Sequence, residues 1–144
     1  VKGIPRSKAK NAYDLLSEVA RLILAEPKRY AQEFYLSHGM PNGKPNSAAL
    51  AGYPACGTVG CVAGWVTTLK ATTESPFLHT GQKAENILGL STNQAGELFD
   101  ASALYGVTDG DIPPPQTRAY AKLGAKHIRL FQRRYRAQLK AKAV

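Results

Sequence analysis

Apolar residues recur at helical spacing along most of this chain, and segments that alternate like strands are scarce. Ala12, Leu15, Leu16, Val19, Leu22 and Ile23 step by three and four, which is one face of an amphipathic helix. Ser7 or Asn11 is placed to cap its start. Pro27 ends it, because proline lacks an amide donor and biases the preceding residue away from helix. Pro27 also suits the first position of a second helix, which the spacing carries to about Leu36 with Tyr30, Phe34 and Tyr35 inward. Glycine and proline then crowd the stretch from His38 to Pro54, which reads as a long loop.

The next helix follows Thr58, its expected N-cap, and ends near Leu69 or Lys70. Thr80 is expected to cap another that stops at Gly89, a residue suited to a left-handed C-terminal turn. Ser91 with Gln94 forms a capping box for a short helix from Thr92 to Phe99. Asp100 to Gln116 is a second loop, carrying Pro113, Pro114 and Pro115, and Thr117 caps a long terminal helix to about Lys140. Gly106 to Ile112 is too broken to count as a strand, and no internal repeat occurs. The expected fold is all-α: a compact single-domain bundle, residues 1–144, of five or six helices with two long Gly/Pro-rich loops.

At 144 residues and 44% hydrophobic content, the chain is large enough to bury a core without disulfides or a metal. No apolar run approaches a membrane span, and no signal-peptide pattern opens the chain. With two cysteines, that points to a cytoplasmic protein with reduced thiols and no membrane partner. The pattern does not fix an oligomeric state.

Charge changes the picture more. The formal net charge is +9, yet the chain from Val1 to Thr117 is balanced. From Arg118 to Val144 there are nine basic residues and no acidic one. Arg118, Lys122, Lys126, Arg129, Arg133, Arg136 and Lys140 fall on one stripe about 80° wide on a helical period. Tyr120, Leu123, His127, Phe131 and Tyr135 lie on the far side. Like charges at these spacings repel, so helix stability alone does not favour the pattern. Such a row suits a phosphate backbone, where each contact releases counterions. It also suits an acidic protein surface. An anionic membrane surface fits less well, because the aromatic face is needed for the core. A plain solvated face is the fourth reading.

The densest motif is Cys56-Gly57-Thr58-Val59-Gly60-Cys61-Val62-Ala63-Gly64-Trp65. Gly57 suits a tight entry turn, Gly60, Ala63 and Gly64 allow close helix approach, and Trp65, Val66 and Leu69 suit the core. Cys56, Gly57, Thr58, Cys61, Gly64 and Trp65 are therefore read as a structural motif. The chemical alternative makes Cys56 or Cys61 a nucleophile, which requires a base. His38, His79 and His127 stand at no diagnostic spacing from either. A zinc site wants a second ligand pair that the sequence lacks, and the compartment disfavours a Cys56–Cys61 disulfide. No metal, cofactor or catalytic residue is assigned.

The motif resembles that of a family of small uncharacterised bacterial and bacteriophage proteins carrying Cys-Gly-Thr-x-x-Cys-x-Ala-Gly-Trp near mid-chain. The likeness extends to Leu24–Tyr30, to Ala84–Leu90, to Gln94–Phe99 and to His127–Phe131, and covers roughly residues 11 to 135. It implies an architecture and no catalytic residue. The Gly/Pro-rich insertion before the motif departs from the family's pattern.

Ala84 to Phe99 has the outline of a helix-turn-helix. Its second helix offers Asn93, Gln94 and Glu97 but no cation, so a plain helical hairpin fits better. Asp109-Gly110-Asp111 lacks the later glutamate of a calcium loop and reads as a turn. The expected function is that of a small, non-enzymatic accessory protein binding nucleic acid non-specifically through its basic C-terminal helix. The alternatives are a phage or bacterial protein that binds or inhibits an acidic protein partner, and a cysteine-dependent enzyme using Cys56 or Cys61.

Overall fold

The computed structural model describes residues 6–30, 36–37, 59–70, 80–100, 104, 107–108, 110–114 and 116–144. The fold is all-α. Helix α1 spans Ala12–Ala25, and a 3-10 turn follows at Pro27–Arg29. Strands β1 (Leu36–Ser37) and β2 (Val59–Gly60) form a minimal antiparallel pair, with Leu36 opposite Gly60 and Ser37 opposite Val59. Helices α2 (Val62–Lys70), α3 (Thr80–Leu88), α4 (Thr92–Phe99), α5 (Arg118–Arg134) and α6 (Arg136–Ala141) complete the described elements.

Four of the helix ends that the sequence marks form as expected. The Asn11 side chain accepts the Asp14 amide at 2.8 Å and starts α1. Gly89 takes the left-handed conformation, φ +67°, at the end of α3. The Leu90 amide then reaches back to the Glu85 carbonyl and the Gly89 amide to that of Asn86, the paired bonds of a Schellman turn. Ser91 and Gln94 complete a reciprocal capping box on α4. Thr117 accepts the Tyr120 amide and starts α5.

Four element expectations are corrected. The second helix does not run to Leu36. Tyr30 is extended, at φ −118° and ψ 122°, and Leu36 lies in a strand. The cause is competition for carbonyls. Those of Lys28, Arg29 and Tyr30 accept from the Gln116 side chain, the Trp65 indole and the Gln116 amide respectively, so they are committed to distant partners. Phe34 and Tyr35 lie outside the described residues. Next, α2 begins at Val62 rather than after Thr58, because Val59 and Gly60 pair as a strand. Cys61 serves as its cap: its carbonyl accepts the Trp65 amide and its thiol the Gly64 amide at 3.4 Å. Thr80, expected as a cap, is instead the first helical residue of α3.

The fourth correction concerns the terminal rod, which is two helices. Tyr135 leaves helical geometry, at φ −116° and ψ 29°, and separates α5 from α6. Side chains from α4 and its cap hold this bend. The Tyr135 hydroxyl donates to Glu97 at 2.5 Å, Arg134 pairs with the same carboxylate, and Gln138 bonds to Gly89 and Gln94. Beyond the bend, α6 turns Leu139 into the core, and the Ala12 amide donates to the Lys142 carbonyl.

The core lies where α1 packs along α5, with α2 and α3 forming the other extensive contact. Leu15, Leu16, Val19 and Ile23 of α1 are fully buried, as is Trp65 of α2. Each such side chain contributes about 1.5–3 kcal/mol on leaving water. Tyr30 is also fully buried, its ring 5.1 Å from that of Tyr120. Gln116 sits at φ +64°, a strained setting for a side-chain-bearing residue, and its two bonds to the Pro27 turn hold it there immediately before α5.

Candidate nucleic-acid interface

The buried side of α5 fixes the orientation of its exposed side. Tyr120, Leu123, His127 and Phe131 are buried, as expected, and Tyr135 is half-buried. Ala121, Ala125, Ile128 and Gln132 widen that buried face toward α1. The Gln132 amide donates to the Tyr13 carbonyl and the Ser17 hydroxyl, both at 2.8 Å, which locks α5 against α1. His127 bonds to the Leu98 carbonyl at 3.3 Å, which locks it against α4. Burial holds the His127 imidazole below its ordinary pKa, and the Leu98 carbonyl pulls the other way. A neutral ring donating to that carbonyl satisfies both.

Arg118, Lys122, Lys126, Arg129 and Arg133 are all exposed. They follow one another by four, four, three and four residues on the outer face of α5, over about 22 Å of helix axis. Among the described residues there are two ion pairs, Arg29 with Glu26 and Arg134 with Glu97, and neither involves this row. Lys126 donates to the Val107 carbonyl at 3.3 Å. Arg136 and Lys140, expected in the same row, lie past the bend on α6. Their charges sit 5.4 and 4.9 Å from the centre of the Tyr13 ring. They face a ring at the start of α1, a contact of about 0.5–1 kcal/mol at exposed sites.

An open groove of about 510 Å³ runs through the row. Lys122, Lys126, Arg129 and Arg133 border it together with Leu24, Ala125 and Leu130. Its walls are mostly apolar, since the cations present methylene stems beneath their charged ends. Leu130 is 41% exposed, the one large hydrophobic side chain left in water among the described residues. Its position at the margin of the charged stripe was visible in the helical period. Its exposure was not, because a leucine there could equally have been covered.

Of the cysteine motif, Cys56, Gly57 and Thr58 lie outside the described residues, as do His38, His79 and the stretch from His38 to Pro54. Cys61, Gly64 and Trp65 are buried. Cys61 is a reduced thiol, and burial pushes its pKa up to about 11. A thiol protonated at neutral pH is not an activated nucleophile. Trp65 donates to the Arg29 carbonyl at 2.8 Å, so the motif's tryptophan ties α2 to the Pro27 turn. No group of three or more His, Cys, Asp or Glu that could hold a metal occurs among the described residues. No helix among them is long and apolar enough to cross a membrane.

None of the protein families, curated proteins or solved structures compared with this chain matches it.

Proposed function

We propose that this protein binds nucleic acid through its phosphates along the outer face of α5, without strong sequence preference, as a small non-enzymatic accessory protein of bacterial or phage type. One observation carries the reading: five cations in register on a helix whose opposite face is pinned in the core, with no carboxylate paired to any of them among the described residues. The positions of the five Cα atoms are set before any ligand arrives, so binding carries no cost for ordering the backbone beneath them. Each phosphate neutralised releases condensed counterions. The outer face of α5 offers no Asn or Gln to read base edges, Gln132 being turned inward, and half of α5 is buried, so it does not enter a major groove as a recognition helix does.

The test is charge reversal in two variants of equal net charge. Arg129→Glu with Arg133→Glu is expected to abolish the low-salt mobility shift of a labelled oligonucleotide. Lys8→Glu with Lys83→Glu changes the net charge equally on other elements and is expected to leave most of it. Equal loss in both variants would reduce the effect to overall charge, and no shift with the unaltered protein would remove the proposal. Capture of an acidic protein that survives nuclease treatment, with no oligonucleotide binding, would favour the protein-partner alternative.

A further inference from the structure

We infer that the groove on α5 selects single-stranded over double-stranded nucleic acid, an inference that rests on the phosphate-binding reading above. The groove combines two properties that a duplex cannot use together. Its border is cationic at Lys122, Lys126, Arg129 and Arg133, and its lining is mostly apolar, with Leu130 in water. A duplex turns its phosphates outward and keeps its base faces stacked inside, so against this surface it engages the cations and leaves Leu130 wet. A single strand carries the same charges and also exposes flat apolar base faces. Those faces pack on Leu130 and on the methylene stems, and they stack on the planar guanidinium groups of Arg129 and Arg133. Charge complementarity names a polyanion as the occupant. The exposed apolar lining selects the polyanion whose own apolar surface is accessible.

Among the described residues, no aromatic ring lines the groove. The apolar contribution is therefore smaller than on an aromatic stacking platform, and a preference of about tenfold is expected.

The experiment measures the affinity of the full chain for a fluorescent 20-mer of deoxythymidine, and for a mixed-sequence duplex of the same length, across a salt series. The expected result is single-strand binding about tenfold tighter, with the gap widening as salt screens the phosphate contacts. Leu130→Ala removes an exposed side chain and does not threaten the core. It is expected to bring the two affinities within about threefold by weakening the single strand alone. Equal affinities for the unaltered protein, a duplex preference, or a Leu130→Ala variant that keeps the full gap would overturn the inference while leaving phosphate binding intact. Absence of binding to either strand form would remove the phosphate reading itself. Displacement of the single strand by a leucine-containing acidic helical peptide, at concentrations where poly-glutamate has no effect, would assign the groove to a protein instead.

Discussion

The ring of Tyr30 fills the space that a side chain at residue 124 would need. A methyl group on Gly124 would overlap that ring, which is buried and packed at a tilt against Tyr120. Gly124→Ala is therefore expected to destabilise the protein by about 1–3 kcal/mol through overpacking. That outweighs the roughly 1 kcal/mol by which alanine favours a helix over glycine. Gly96 in α4 has open space around it, so Gly96→Ala is expected to stabilise by up to about 1 kcal/mol. Urea unfolding of the two variants should move the midpoint in opposite directions, and shifts of the same sign would contradict this account. At His127 the linkage runs through burial. The native ring binds its proton less readily than the unfolded chain, whose value is near 6.5. The stability contributed by the neutral ring is full above that value and is lost as pH falls through the lower native one. Unfolding midpoints at about pH 7.5 and about pH 5 should show the loss. His127→Gln keeps a donor for the Leu98 carbonyl and should flatten the profile, whereas an unchanged profile would assign the effect elsewhere. The inward placement of His127 was legible from its helical phase. The roles of Tyr30 against Gly124 and of Gln132 against Tyr13 were not, because each is a contact between residues some ninety or more positions apart.

Helix starts and stops were legible where a local side chain does the work. Asn11, Gly89, Ser91 with Gln94, and Thr117 act on amides or carbonyls within a few residues, so sequence spacing suffices to find them. Ser91→Ala removes one half of a reciprocal cap and is expected to cost about 1 kcal/mol. A thermal melt with an unchanged midpoint would mean that α4 is held by packing alone. The Pro27 turn and the Tyr135 bend were not legible, for the opposite reason. Gln116 and Trp65 take the carbonyls that would have continued a helix past Arg29. Glu97 holds Tyr135 off helical geometry with neither proline nor glycine nearby to signal it. In both places a long-range hydrogen bond overrides a local helical pattern, and nothing within the segment announces the partner. The bend matters to the candidate site, because Arg136 and Lys140 lie beyond it with their charges over the Tyr13 ring.

For the whole molecule, the consequence is a separation of charge. The chain through Thr117 is balanced, and the excess of nine positive charges begins at Arg118. Because α5 is clasped by α1 and α4, that excess is not a loose tail: five cations face outward from a helix that has few ways to reorient. A field organised in this way steers polyanions and weakens as salt shortens its reach. The row was legible in the sequence as a stripe, and the apolar groove through it was not, since Leu24 and Leu130 meet it from two different elements. The most direct measurement is the slope of log K against log salt concentration for a short oligonucleotide. Five phosphate contacts predict a slope of about −3.5 on a single strand and about −4.5 on a duplex, falling by about one contact's worth for each cation of α5 replaced by glutamine. A slope near zero, or one that glutamine at Arg129 and Arg133 leaves unchanged, would contradict it.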